Sequence, residues 1–350
     1  MSKLMPKTKR NQVLITGGAG YIGSVLVKQL IEYGYNVVCL DRFFFGKKAL
    51  IEVEHHPNLT MIRDDIRWFD PAILKNVGTV IDMAALSNDP AGELEPSKTF
   101  EINFLGRSRV ARLAKEYGVR RYILASSCSV YGFQDGILDE SSKVDPLTTY
   151  AKANRKAEQD IILLSDSNFS ATVLRFATAY GYSGRMRFDL AINAMVLDLY
   201  NHSIIHVMRS GEQWRPFIHV KDIATACYLF IKERDIGKIE GEIFNVGSDS
   251  QNYQILPLAE LIAKAVGISY NIDMYGSSDF RSYRVSFEKI RKTLDFQASL
   301  NPNKGSIEIF EALKRGNLRD SPETKTVEWY KRLINCHELM SELSLRDSLL

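Results

Sequence analysis

The run Gly17-Gly18-Ala19-Gly20-Tyr21-Ile22-Gly23 sets Gly17, Gly20 and Gly23 at intervals of three. Glycines so spaced give a tight turn, close backbone approach to a pyrophosphate, and close packing of the next helix on the preceding strand. A helix opening behind such a turn aims its N-terminal N–H groups at the phosphates. The apolar run Gln12-Val13-Leu14-Ile15-Thr16 reads as that strand, and Tyr21 to Tyr33 carries Ile22, Val25, Leu26 and Leu30 at helical spacing. A second apolar run, Asn36 to Leu40, follows the Gly34 stop and ends on Asp41. This β-α-β unit predicts a bound dinucleotide. Asp41 can accept both hydroxyls of the adenosine ribose and would repel a 2′-phosphate, so it selects NAD over NADP. The adjacent Arg42 reads as a solvated loop cation.

The elements that must hold this turn continue the same alternation. Thr60 to Arg63, Thr79 to Met83, Arg121 to Ala125 and Ala171 to Phe176 read as buried strands, with helices over Pro96 to Tyr117 and Tyr150 to Leu164 between them. Strands alternating with helices predict an α/β fold, a doubly wound parallel (Rossmann) sheet. After Gly181 the alternation loosens, which places a smaller C-terminal α/β substrate lobe there. The expected division is an NAD-binding domain over 11–180 and a second lobe over 181–335. Segments near 215–246 are expected to return to the first domain, and residues 1–10 to form a basic disordered tail.

Composition narrows the function classes. The 45 basic and 42 acidic residues are intermixed and leave a net charge of +3, without the basic stripe that grips nucleic acid. No run approaches the roughly 20 apolar residues of a bilayer span, so no membrane partner is expected. The four cysteines, Cys39, Cys128, Cys227 and Cys336, lack metal-site pairing. Reduced thiols, a cytoplasmic location and no metal are the expectation.

The G-x-x-G-x-x-G spacing, together with Asp65-Ile66, Asn103, Ser126-Ser127-Cys128-Ser129-Val130-Tyr131-Gly132 and a Tyr150 opening a helix, resembles the extended short-chain dehydrogenase/reductases. The nearest resemblance is to their NAD-dependent epimerase/dehydratase group, of the UDP-glucose 4-epimerase type. It runs from Gln12 to Tyr330 and includes Leu174 to Gly181 and Trp214 to Asp222. The resemblance implies NAD in the first lobe and a nucleoside-diphosphate sugar in the second. It assigns the cofactor to Gly17, Gly20, Tyr21, Ile22, Gly23, Asp41, Asp65, Ile66, Ala84, Ala85, Asn103, Ser126, Tyr150 and Asn154. The substrate falls to Ser87, Ser127, Cys128, Thr178, Arg187, Asn193, Arg215 and Arg281, with Arg185 a further candidate. Ser127 would orient the reacting hydroxyl and Tyr150 would take its proton. A homodimer joined through the helices Pro96 to Tyr117 and Tyr150 to Leu164 is also implied.

The pattern breaks at one position. The family reads Y-x-x-x-K, and here Tyr150-Ala151-Lys152-Ala153-Asn154 puts Asn154 where the lysine belongs. Lys152 and Lys156 lie about 200° and 240° round the helix from Tyr150. A cation about 5 Å from a phenolate contributes about 3 kcal/mol at an effective dielectric of 20, so its loss should leave Tyr150 protonated. Asn154→Lys is then expected to raise the rate. The family's 4,6-dehydratases carry an Asp-Glu pair after the Ser/Thr, where this chain has Cys128 and Ser129. The expected reaction is therefore hydride transfer at the sugar C4, ending in epimerisation or ketone release. A dehydratase with another base, or a weakened binding module, is the alternative.

Overall fold

The computed structural model describes residues 12–208, 210–276 and 281–344. The tail expected over residues 1–10 lies outside the described residues.

Seven parallel strands form the central sheet. They are β1 (Gln12–Thr16), β2 (Asn36–Asp41), β3 (Leu59–Arg63), β4 (Thr79–Asp82), β5 (Arg121–Ser127), β6 (Ser170–Phe176) and β7 (Ile243–Val246), in the spatial order β7-β6-β5-β4-β1-β2-β3. Successive residues feed opposite faces. Val13 and Ile15 join one core cluster while Leu14 joins the other, and Ile123 is divided in the same way from Tyr122 and Leu124. Helices cover both faces, which is why these strands read as continuous apolar runs rather than alternating ones. On one face lie α1 (Gly23–Glu32) and α4 (Val220–Lys232). On the other lie α2 (Arg107–Glu116) and α3 (Thr149–Ile162).

The strand order reverses between β1 and β4, so a crevice opens beyond their carboxyl ends. The glycine turn leaves β1 there, and Met83, Ala84 and Ala85 leave β4 beside it. The helix expected over Pro96 to Tyr117 contains an irregularity. Helical turns at Pro96–Phe100 and from Arg107 are joined by a π-helical stretch, Glu101–Gly106. Such wide turns recur at functional sites, and this one ends immediately before Arg107.

The second lobe has its own core, in which Ile192, Val196 and Leu199 pack with Leu258, Ile262, Ile309 and Leu313. The chain re-enters the main sheet through α4 and β7, the latter pairing in parallel with β6. A last helix, α5 (Thr326–Leu343), passes the expected boundary at 335 and carries Tyr330, Leu333, Ile334 and His337 along the cleft.

Candidate active site

A cleft of about 1030 Å³ runs from the glycine turn across the ends of β1, β4 and β5 to the second lobe. At its base Gly17 adopts φ +67°, and a Cβ there would come within 2.9 Å of the Ala84 nitrogen. A Cβ on Gly23 would meet the Gly17 carbonyl oxygen at 2.2 Å. The turn therefore accepts no side chain at either position. The N-terminus of α1 has no side-chain cap and no acidic residue in its first turn, so its dipole is open to an anion.

Asp41, at the end of β2, accepts hydrogen bonds from the Ala19 N–H at 3.0 Å and the Phe43 N–H at 2.7 Å. Burial pushes its carboxyl up despite those bonds. Arg42, a loop cation whose side chain is 40% exposed, donates to Asp65 at 2.6 Å and stacks over Phe44. Asp65 also takes a two-pronged contact from Arg67, at 3.0 and 2.9 Å. Burial raises the Asp65 carboxyl, but the Arg67 and Arg42 contacts outweigh it and hold the group below its ordinary value. Phe44, Phe45 and Tyr330 close this end of the cleft with Asp65 and Ile66.

Further along, the end of β5 and the start of α3 bring Ser127 and Tyr150 together. Thr148 caps α3 by accepting from the Ala151 N–H at 3.2 Å and itself donates to Asp89, which fixes the first turn that carries Tyr150. Ser127 Oγ accepts from the Ser129 N–H at 3.1 Å, so its own proton remains available to donate. Burial raises the Tyr150 phenol above its ordinary value; the Arg107 guanidinium and hydrogen bonds with Asn154 and Ser127 pull against that rise, and Asp89 adds to it.

Arg107 went unread in the sequence. It is 1% exposed, and its Nη1 donates to Asn154 Oδ1 at 2.8 Å. Its Nη2 donates to the carbonyls of Asp82, at 3.0 Å, and Ala125. Lys152 and Lys156 point to solvent, as the helix geometry requires. The available signal was spacing: Arg107 follows Asn103 by four residues, but it opens a stretch rich in charged residues, Arg107–Glu116, and such residues are ordinarily solvated.

The cleft also takes in Gly20, Tyr21, Ile22, Ser87, Ser126, Thr178, Arg185, Arg187, Arg215 and Arg281. Arg187 grips Asp189 with two contacts, at 3.1 and 2.7 Å, and donates to Ser87 Oγ. Arg281 pairs with Asp89, and Arg215 donates to the Arg281 carbonyl, so the two arginines converge on one wall. Arg185 is buried against the Phe45 ring, 3.7 Å from its centroid, and donates to Thr326 at 2.9 Å. Its Nε and Nη1 have no hydrogen-bond partner. Burial, with Arg187 beside it, draws its guanidinium down to about 9.

Three expected ligand contacts are placed elsewhere. Asn103 is fully buried and spends its amide on Leu86, accepting from the N–H at 2.8 Å and donating to the carbonyl at 2.9 Å. Asn193 likewise ties Gly181, Tyr21 and Arg187 together. Cys128 sits in the core with its thiol donating to the Arg175 carbonyl, and burial pushes that thiol well up. These residues shape the cleft without lining it. Asn154 is buried behind the wall, and Ser126 Oγ donates to Glu158 at 2.6 Å.

A glycine-cradled crevice at a strand-order switch, with a Ser/Tyr pair on its wall, defines a dinucleotide-dependent site acting on a hydroxyl-bearing substrate. Residues 13–247 match the NAD dependent epimerase/dehydratase family, and the chain belongs to that family. It is 26% identical over 314 residues to a putative UDP-glucose 4-epimerase of Methanocaldococcus jannaschii, covering 87% of this chain and 99% of that one. It is 28% identical to UDP-glucuronic acid decarboxylase 1 of Xenopus tropicalis, covering 76% of this chain and 62% of that protein. Among solved structures, MoeE5 in complex with UDP-glucuronic acid and NAD superposes with a TM-score of 0.76 at 28% identity, over 87% of this chain and 99% of that chain.

The residues present fit NAD. The uncapped N-terminus of α1 and the unpartnered donors of Arg185, which line the cleft, are groups that phosphates would satisfy. Among the described residues no metal-ligand cluster is present.

Proposed function

We propose that this protein is an NAD-dependent nucleotide-sugar 4-oxidoreductase that acts as an epimerase or releases the 4-ketosugar. The observation that carries this reading is the Ser127–Tyr150 pair on the wall of the cleft that holds the glycine cradle. Gly17, Gly20 and Gly23 hold the pyrophosphate of NAD, and Asp41 takes the adenosine ribose. NAD, when bound, supplies the hydride acceptor. Ser127 donates to the sugar hydroxyl and orients it, and Tyr150 takes its proton. Arg215 and Arg281 grip the diphosphate of the substrate, and Arg187 with Ser87 and Thr178 faces the sugar.

Dehydration by the usual acid and base is disfavoured, because Cys128 and Ser129 stand where those groups would be and the Cys128 thiol is sealed in the core. A binding module alone would need neither Ser127 nor Tyr150. The two helices expected to form a dimer expose Leu105, Tyr117 and Leu163 at or near their ends, which supports a homodimer; a monomer mass by light scattering would remove it. No helix among the described residues is long and apolar enough to cross a membrane. A cytoplasmic location is proposed from the unpaired cysteines.

The test is incubation with UDP-, GDP-, dTDP- and CDP-sugars, including UDP-glucuronic acid, while following NADH absorbance and the C4 configuration of the product. A C4 epimer or 4-ketosugar supports the reading. Silence across the panel, with NAD bound, would overturn it in favour of the binding module.

A further inference from the structure

Asn154 removes the cation expected beside Tyr150, and the fold brings another to the same place from a different helix. We propose that Arg107 and Asn154 together replace the missing lysine: Arg107 supplies the buried positive charge and Asn154 relays it as a hydrogen-bond donor toward Tyr150. This rests on the reading of Tyr150 as the proton acceptor.

The geometry leaves little freedom. A guanidinium has donors only, so the amide of Asn154 must turn Oδ1 toward Arg107. Its buried Nδ2 then turns away from Arg107 and faces the Tyr150 phenol, with no other protein acceptor. A lysine would offer an N–H donor and a charge from one group. Here the donor comes from Asn154 and the charge from the group behind it.

Arg107 suits that task because it is buried and fixed. Its hydrogen bonds to the Asp82 and Ala125 carbonyls lock the guanidinium at the ends of β4 and β5. Its nearest acid, Asp82, is 3.9 Å from Nε and is engaged by Thr16 and Tyr122. Burial pushes the Asp82 carboxyl up, which weakens its claim on the Arg107 charge. The charged groups facing Tyr150 are then Arg107 from α2, Asp89 from the one-turn helix Asp89–Gly92, and Arg187 from the second lobe, with Ser127 and Asn154 as neutral partners. Arg107 is the cation that acts most strongly on the phenol.

Asn154→Lys alone is consequently no repair. It would set an ammonium against the guanidinium, and the gain in rate expected on sequence grounds becomes a loss of stability instead.

The competing reading is that Arg107 only clamps β4 to β5. Titration of the Tyr150 phenolate by ultraviolet difference, each protein measured against its own Tyr150→Phe partner, separates the two without needing turnover. Arg107→Gln should raise the titration by about one to two pH units, and Arg107→Lys should hold it within about half a unit of the wild type. Arg107→Gln with Asn154→Lys should bring it back down. If Arg107→Gln does not fold, pairing it with Asp82→Asn removes both buried charges together and should show the same upward shift. An unchanged titration in either folded variant would overturn the proposal and leave Arg107 a clamp. If instead the titration moves but Tyr150→Phe turns over normally, Tyr150 is not the proton acceptor, and the proposed function fails at that point.

Discussion

Two buried arginines stand on opposite walls of the cleft, and the fold treats them in opposite ways. Arg107, on the wall built from β4, β5 and α3, is 1% exposed and engages Asn154, two strand-end carbonyls and Asp82. Arg185, on the wall built from the second lobe, is 7% exposed and keeps two guanidinium nitrogens without a hydrogen-bond partner. Burial draws Arg185 down to about 9, the mark of a charge the protein does not compensate. Arg107 leaves Nε alone without a hydrogen-bond partner, beside Asp82; a guanidinium held so by the protein can tune a neighbouring group, whereas one with two orphaned nitrogens and no facing carboxylate in bonding range is held ready for an anion that comes from outside.

Breaking the first wall at its reacting group should have the largest effect. Tyr150→Phe should slow single-turnover hydride transfer by roughly a thousandfold while leaving bound NAD unchanged in the purified protein. Equal loss of both would mean that the phenol binds rather than reacts. The rate in the wild type should rise with pH below the phenol's titration, because burial holds that group above its ordinary value.

Removing each arginine in the ligand-free protein contrasts the walls directly. Arg107→Met removes the buried counter-charge of Asp82 and the donors to Asn154 Oδ1 and two carbonyls, and should cost about 3–5 kcal/mol in denaturant unfolding. Arg185→Met should cost less than about 1 kcal/mol or stabilise, because it replaces a buried, uncompensated charge with an apolar chain packed on Phe45. Similar losses for the two would erase the distinction. With ligand present the roles reverse: Arg185→Met should weaken NAD or nucleotide-sugar binding by about tenfold or more, in proportion to one charge-assisted hydrogen bond, as read by calorimetric titration.

An effect confined to acid pH is expected away from both walls, where the lobes meet. Burial raises the Glu308 carboxyl, but hydrogen bonds from His219 and Lys221 outweigh it and hold the group at about 2. A carboxylate lower in the folded than in the unfolded chain stabilises above its unfolded value, near 4.3, and loses that contribution as pH falls toward its folded one. Glu308→Gln should therefore flatten the acid limb of a melting-temperature profile between about pH 4.5 and 2, by about 1–2 kcal/mol. An unchanged limb would show that the contact contributes nothing to stability.

Some of this arrangement is legible in the chain because it depends on local backbone chemistry. The glycines from Gly17 to Gly23, the apolar strands and Asp41 at the end of β2 follow from spacing, since turn geometry and burial on both sheet faces act residue by residue. Ser127 and Tyr150 were legible only through resemblance, because the loops that join β5 to α3 bring them together. Asn103, Asn193 and Cys128 show the converse: a polar side chain in a motif can be spent on neighbouring backbone, and only packing reveals which.

Asn154 marks the division. By itself the sequence determined that the lysine is missing, because helix periodicity excludes Lys152 and Lys156. Only the tertiary structure decided that a cation is still there, since Arg107 comes 47 residues earlier on another helix and meets Asn154 where α2 and α3 pack side by side on one face of the sheet. Charge acts through space, and the spacing of residues along one helix cannot report what a second helix delivers.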